Sequence, residues 1–173
     1  MISSDRKLPR WALAAVLTTT SITGLGLAAA APASAAPASP ADYRCEQNDT
    51  WRNGSLYLDV SGSGGSGTRV VTWYYNGHAN QHWCLERARE GGWYFHPSYN
   101  LGLCLDVPYS NYTQGQSLWV FSCNGTGAQR FSVTGSGGYY NIGTEDAQFS
   151  VNSDGHAGDS VYLNQQGDAT SWQ

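Results

Sequence analysis

The chain of 173 residues carries 9 lysines and arginines against 13 aspartates and glutamates, for a net charge of −4. Its one lysine is Lys7, so the rest of the sequence lacks the clustered cations that bind nucleic acid or an anionic membrane. Charged residues make up only 13% of the chain, whereas 21 glycines, 11 tyrosines and 7 tryptophans are present. Short strands joined by many turns suit this composition better than helices, and we expect an all-β fold.

Residues 1–35 have the pattern of an export signal. Three basic residues precede an apolar run from Trp11 to Ala31, and Ala-Ser-Ala at 33–35 fits a signal-peptidase cleavage site. A membrane anchor is the alternative, because the run approaches the length that spans a bilayer. Threonines interrupt the run and a cleavage site follows it, so we expect a secreted protein with no membrane segment after cleavage.

The rest of the chain has the length of one domain. Residues 36–42, with their alternating prolines, are expected to form an extended leader, and residues 43–173 a single domain. Four cysteines, at positions 45, 84, 104 and 123, indicate two disulfides in an exported protein, with three connectivities open. No C-x-x-C pair is present and no histidine stands at ligand spacing, so no metal site is expected.

One sequence pattern occurs three times. It begins at Leu56–Val60 and Leu103–Val107, both ending in Leu-Asp-Val, and more weakly at Phe149–Asn152. Each copy continues with a glycine, a short apolar strand, a turn that contains glycine and a closing aromatic residue. The glycines are Gly67, Gly115 and Gly158, the turns are Asn76-Gly77, Asn124-Gly125 and Gln166-Gly167, and the closing residues are Trp83, Phe131 and Trp172. A constant period of about 46 residues indicates a repeated supersecondary unit.

These motifs resemble the ricin-B lectin family over residues 43–173. The family repeat has a Cys-Leu-Asp-Val strand, an aromatic-x-Cys-Asn-Gly segment and a closing Gln-x-Trp, as in Leu103–Val107 and in Gln81-His82-Trp83 here. The resemblance implies a β-trefoil of three pseudosymmetric repeats, at about 43–90, 91–136 and 137–173. It also implies that the closing aromatic residues belong to the core.

The resemblance further implies how the cysteines pair. Cys104 and Cys123 occupy the positions that such lectins bridge within one repeat, and repeat one has tyrosine at both of the matching positions, 57 and 75. The remaining pair, Cys45–Cys84, would then join two strands of repeat one.

In repeat one, four residues match the family's sugar site. They are Asp59, Trp73, Asn80 and Gln81, expected to supply a carboxylate for hydroxyls, an aromatic platform and two amides. Val71 replaces a glutamine that is common in the family, which leaves the hydroxyl preference open. The structural alternative is that the aspartate caps a turn and the tryptophan packs in the core.

In repeat two the same comparison gives an altered site. Asp106, Phe121 and Gln129 are retained as carboxylate, platform and amide, but Ala128 and Trp119 stand where polar residues are common. We expect a second, weaker site, with simple packing of the phenyl ring beside the disulfide as the alternative.

Repeat three has Asn152 for the aspartate, Asn164 for the platform and Ser171 for the glutamine, and it is expected to be scaffold. The family pattern continues beyond Gln173, so we also expect a shortened last strand, with an exposed edge near residues 43–45.

The function expected from these features is carbohydrate binding, without catalysis or cofactor. The resemblance implies galactose-type or xylan-type glycans as ligands. The alternative is a secreted trefoil that inhibits a protease or binds another protein through its loops. The remaining acidic residues and histidines show no paired arrangement of the kind that hydrolysis needs.

Overall fold

The computed structural model describes Cys45 and residues 47–165 and 169–173. The predicted signal at 1–35, the leader at 36–42 and the turn at Gln166-Gly167 lie outside the described residues. The described residues belong to the compact unit within Ala36–Gln173. Within the described part of the chain, no helix has the length and apolar character needed to cross a bilayer.

Antiparallel strands and short 3-10 turns form the regular secondary structure of the described residues. The strands are β1 (Gln47–Asp49), β2 (Arg52–Asn53), β3 (Leu56–Val60), β4 (Thr68–Tyr74), β5 (Trp83–Arg87), β6 (Trp93–Pro97), β7 (Leu103–Asp106), β8 (Trp119–Ser122), β9 (Phe131–Ser136), β10 (Tyr139–Thr144), β11 (Phe149–Asn152) and β12 (Tyr162–Gln165). One sheet has the order β1-β5-β6-β9-β10-β11-β12 and the other β2-β3-β4-β8-β7. The all-β prediction is confirmed.

Each repeat contributes one equivalent hairpin, formed by β3–β4, β7–β8 and β11–β12. In the three hairpins Asp59 lies opposite Val71, Asp106 opposite Trp119 and Asn152 opposite Tyr162. Backbone bridges join the hairpins of different repeats, as between β4 and β8. This arrangement is the β-trefoil that the repeats predict.

The three closing aromatic residues lie in the core, as predicted. Trp83, Phe131 and Trp172 are fully buried. The Nε1 of Trp83 donates to the carbonyl oxygen of Leu58 at 3.0 Å, and the Nε1 of Trp172 donates to that of Val151 at 3.0 Å. Because a buried N–H without an acceptor is costly, these bonds fix each indole against the first strand of the hairpin in its own repeat.

Two disulfides join Cys45 to Cys84 and Cys104 to Cys123, the pairs that the resemblance implies. Histidine 96 lies beside the second bridge, with its Nδ1 at 3.6 Å and 3.4 Å from the two sulfurs. A bridged cysteine offers no thiolate to a metal, so this group of three residues is not a metal site.

Candidate functional site

The hairpin β3–β4 places the strand-end residues of repeat one around a cavity of about 400 Å³. Asp59 lies opposite Val71 in the ladder, and Trp73 follows two residues later on the same face, because side chains alternate along a strand. Asn80 comes from the 3-10 turn Ala79–Gln81, which contacts the end of β3. Asp59, Trp73 and Asn80 all line this cavity.

Gln81 lies behind the cavity and is fully buried. Its Nε2 donates to Oδ2 of Asp59 at 2.8 Å and to the carbonyl oxygen of Tyr74 at 2.9 Å. Its Oε1 accepts from the backbone N–H of Asn76 at 2.9 Å. Gln81 therefore orients the carboxylate and holds the end of β4, and it does not line the cavity itself.

Asn80 is also buried but is not fully hydrogen bonded. Its Nδ2 donates to the carbonyl oxygen of Val60 at 3.1 Å. Its Oδ1 is buried and accepts no hydrogen bond from any described residue. A buried acceptor without a donor costs about 1–3 kcal/mol. The Oδ1 of Asn80, a residue that lines the cavity, is such an acceptor.

Asp59 carries the only carboxylate among the described residues that line this cavity. Burial raises its pKa above the usual range, while hydrogen bonds from Gln81, Asn80 and Asn76 and the nearby His78 act in the opposite direction. Burial is the largest effect, so the carboxylate is poorly solvated. Hydrogen bonds donated by a ligand would stabilise its charged form.

Trp73 is 45% exposed, which excludes the alternative that it is a core residue. Its ring packs close to Gly158 of repeat three, where an added Cβ would lie 3.1 Å from Cζ3 of the indole. The indole is thus partly exposed and lies against the backbone of another repeat.

Sequence reasoning missed two groups of residues that line the cavity. Asn76 and His78 belong to the turn after β4, and Ser61, Gly62 and Ser63 form the turn after β3. The Asn-Gly pair indicates a turn, but the sequence carries no signal that the asparagine side chain turns toward Asp59, with Nδ2 3.5 Å from Oδ2.

Repeat two keeps the framework of this site but gives its carboxylate a different partner. Gln129 donates to the carbonyl oxygen of Ser122 at 3.1 Å and accepts from the backbone N–H of Asn124 at 2.8 Å, as Gln81 does in repeat one. Asp106, however, accepts from Nε1 of Trp119 at 2.5 Å. Burial raises the pKa of Asp106 as well, but an indole of the protein itself satisfies this carboxylate.

Phe121, the predicted platform of repeat two, stacks on that same indole. The two ring centroids lie 5.3 Å apart with an interplanar angle of 19°, and the phenylalanine is 37% exposed. Tyr109, 87% exposed, contacts the indole of Trp119 from another side, with centroids 5.4 Å apart. The aromatic residues of repeat two therefore pack on one another.

In repeat three the strand-end residue is used internally. Oδ1 of Asn152 accepts from both the backbone N–H and Oγ1 of Thr170, each at 2.7 Å. Thr170 lies two residues before Trp172, as Gln81 lies two before Trp83. The assignment of Ser171 to the glutamine position was therefore wrong by one residue: Ser171 is exposed, and Thr170 makes the contact to the strand end.

Residues 50–173 match the sequence profile of the ricin-type beta-trefoil lectin domain. No curated protein matches the chain at a significant level.

Solved structures with the same fold include designed and natural proteins. The designed threefold-symmetric protein ThreeFoil gives a TM-score of 0.66 at 21% identity, over 73% of this chain and 96% of its own. A Macrolepiota procera ricin B-like lectin in complex with lactose gives 0.62 at 14% identity, over 75% of this chain and 95% of its own. An exo-beta-1,3-galactanase from Clostridium thermocellum gives 0.66 at 24% identity, over 76% of this chain but 30% of its own.

At these identities the structural likeness shows the fold alone. The family profile, by contrast, covers well over half of the chain and includes the three hairpins described above. The protein belongs to the ricin-type beta-trefoil lectin domain family.

Proposed function

We propose that this protein is a secreted carbohydrate-binding module whose main site is the cavity of repeat one. The observation that carries the proposal is the meeting of the buried carboxylate of Asp59, the amide of Asn80 and the exposed ring of Trp73 around one cavity of about 400 Å³. A sugar offers hydroxyls on its rim and an apolar C–H face, and these three groups complement both.

In this proposal each residue has a separate task. Asp59 accepts hydrogen bonds from ligand hydroxyls, and Trp73 stacks on the C–H face of the ring. Asn80 exchanges hydrogen bonds with a further hydroxyl, and Gln81 keeps the carboxylate in place. Because the cavity is shallow and hydroxyl desolvation offsets the new bonds, a single sugar is expected to bind with a Kd on the order of millimolar.

Repeat two, with Asp106, Phe121 and Gln129, is proposed as a weaker site. Its carboxylate already accepts a hydrogen bond from Trp119, and a ligand would have to displace that indole. Asn152 of repeat three is held by Thr170, which supports a scaffold role for that repeat.

Binding is favoured over hydrolysis by the composition of the repeat-one cavity. Glycoside hydrolysis ordinarily uses two carboxyl groups about 5–9.5 Å apart, whereas Asp59 alone among the described lining residues has one. The proposed activity requires no cofactor.

Galactose-containing glycans are the first ligands to test, with xylan second. One structural neighbour is a lectin solved with lactose and another is an exo-beta-1,3-galactanase, of which this chain covers 30%. Neither identity exceeds 24%, so the neighbours guide the choice of probes and do not decide the ligand.

The test is titration of galactose, lactose, xylotriose and xylan into the wild-type protein and into Asp59→Asn. Loss of the charged acceptor is expected to weaken binding roughly tenfold or more. Asp154→Asn is the matched control, because that carboxylate accepts a hydrogen bond from Tyr162 on the exposed side of repeat three. Wild-type protein that binds none of the four probes would refute the proposal, and protease binding that persists in excess sugar would favour the protein-binding alternative.

A further inference from the structure

Two tyrosines form an exposed ring pair beside the repeat-one cavity. Tyr57 lies opposite Trp73 in the β3–β4 ladder, and Tyr75 follows Trp73 by two residues. The rings of Tyr57 and Tyr75 have centroids 4.9 Å apart and are inclined at 45°. Tyr75 is 56% exposed, and Tyr57 is partly buried. Opposed residues share a face of a sheet and side chains alternate along a strand, so this pair is on the face that carries Trp73.

The side chain that orients Asp59 also holds the backbone of this pair. Gln81 donates to the carbonyl oxygen of Tyr74 and accepts from the N–H of Asn76. Tyr75 is therefore fixed on both sides by the residue that positions the carboxylate. Gln81 therefore connects the backbone on either side of Tyr75 to the carboxylate of the cavity.

The equivalent place in repeat two holds the disulfide Cys104–Cys123. There Gln129 makes the same two bonds around Cys123, to the carbonyl oxygen of Ser122 and from the N–H of Asn124. The two hairpins thus share the same glutamine hydrogen bonds to the backbone. A disulfide joins the strands in repeat two, whereas a tyrosine pair occupies that place in repeat one. A disulfide would close the hairpin of repeat one with little apolar surface, whereas the two tyrosines present ring surface to water.

We propose, on the basis of the proposed carbohydrate binding, that Tyr57 and Tyr75 form a second aromatic platform for the next ring of a linked glycan. One sugar would lie on Trp73 with its hydroxyls at Asp59, and the neighbouring sugar of the same chain would lie on the tyrosine pair. Residues two apart on a strand are separated by roughly 7 Å, which places the platforms side by side. The ligand class is an oligosaccharide or polysaccharide of at least two linked rings.

Two aromatic platforms increase the affinity for a linked glycan above that of a single site for one sugar. The second ring of a linked glycan binds without a further loss of translational freedom, so an aromatic contact that is too weak alone adds directly to the affinity. We expect oligosaccharides to bind roughly three- to tenfold more tightly than the matching monosaccharide.

The experiment compares monosaccharides with their oligomers in variants that lack the rings. Galactose and β-1,3-linked galactotriose form one pair of probes, and xylose and xylotriose form the other. The double variant Tyr57→Cys, Tyr75→Cys removes both rings and is designed to close the hairpin as repeat two does. Tyr75→Ser removes the more exposed ring alone. Tyr139→Ser is the matched control, because Tyr139 is 57% exposed on β10.

The expected result is that both ring variants bind the monosaccharide as the wild type does but lose the added affinity for the trisaccharide, while the control keeps it. A wild type that binds trisaccharide no better than monosaccharide overturns the second platform, as does an advantage that persists in both ring variants. In those outcomes single-sugar binding still stands. Absence of binding to every probe by the wild type refutes the proposed function and this inference together.

Discussion

Asp59 and Asp106 occupy equivalent strand ends with nearly equal burial, at 3% and 4% exposed, yet their surroundings differ. The difference lies in the residue opposite each of them in the ladder, which is Val71 in repeat one and Trp119 in repeat two. Valine has no polar atom to offer and leaves room above the carboxylate. The indole of Trp119 supplies a donor and occupies that room. The residue across the ladder thus distinguishes the two aspartates: Asp59 lines a cavity together with Val71, whereas Asp106 accepts a hydrogen bond from the indole of Trp119.

The double variant Trp119→Val, Ala128→Asn is therefore expected to strengthen the weaker sugar site proposed for repeat two. It removes the indole from Asp106 and supplies the asparagine that repeat one has at position 80. Addition of the sugar that binds repeat one should then shift backbone amide NMR signals around Phe121 and Gln129, with an affinity on the order of millimolar.

The reverse change is the control for this prediction. Val71→Trp places an indole opposite Asp59 and should abolish the shifts around the repeat-one cavity. If the shifts in the double variant stay confined to repeat one at sugar concentrations that saturate that repeat, the indole of Trp119 is not what weakens sugar binding by repeat two.

The platform strand β4 is held by a loop of repeat three. Oγ1 of Thr72 donates to the carbonyl oxygen of His156 at 2.9 Å, and the N–H of Gly158 donates to the carbonyl oxygen of Thr72 at 2.7 Å. The N–H of Thr72 in turn donates to the carbonyl oxygen of Asp159 at 3.0 Å. A repeat proposed to bind no sugar therefore positions the neighbour of Trp73 in the sequence.

Gly158→Ala is expected to weaken sugar binding by displacing the Trp73 ring. The added Cβ would lie 3.1 Å from Cζ3 of Trp73, so the ring must shift by a few tenths of an ångström. A loss of roughly threefold in affinity, about 0.6 kcal/mol, is expected in a titration. Gly155→Ala is the control, since both glycines have positive φ, +93° and +82°, but a Cβ at Gly155 meets no atom within 4 Å. Equal losses of affinity in the two variants would contradict this role for Gly158.

The sequence predicts the trefoil well because its strand motifs and closing aromatic residues recur in register. It also predicts three residues that line the repeat-one cavity, Asp59, Trp73 and Asn80, since all of them lie within one hairpin and its following turn. It does not predict the indole bond to Asp106 or the packing of Trp73 on Gly158. The contact between Trp73 and Gly158 joins residues far apart in the chain and depends on how the repeats pack against one another. Ser171 was assigned to the glutamine position in error because repeat three has no glutamine there to mark it.

One histidine of the domain is fully buried and is a candidate for pH-dependent stability. His96, in β6, is fully buried, and its Nδ1 donates to the carbonyl oxygen of Leu103 at 3.0 Å. Oε2 of Glu86, on the neighbouring strand β5, lies 3.2 Å from Nε2, and the ring of Tyr94 is also close, at 6.4 Å between centroids. Desolvation by burial lowers the pKa of His96 to about 4, although hydrogen bonds to the carbonyl oxygens of Leu103 and Leu101 act in the opposite direction.

This lowered pKa predicts a loss of stability in acid. Between pH 6.5 and about 4 the unfolded chain binds a proton at His96 that the folded protein does not, so the free energy of unfolding falls as the pH is lowered through this window. The full loss is about 3 kcal/mol, reached below pH 4. The raised pKa values of Asp59 and Asp106 act in the opposite direction, because protonation of those carboxylates favours the folded state.

Urea unfolding measured across this range separates the effects when wild type is compared with His96→Gln, whose amide can still donate to the Leu103 carbonyl. The variant should lose markedly less stability between neutral pH and pH 4, and parallel curves for the two proteins would show that His96 is not the group responsible.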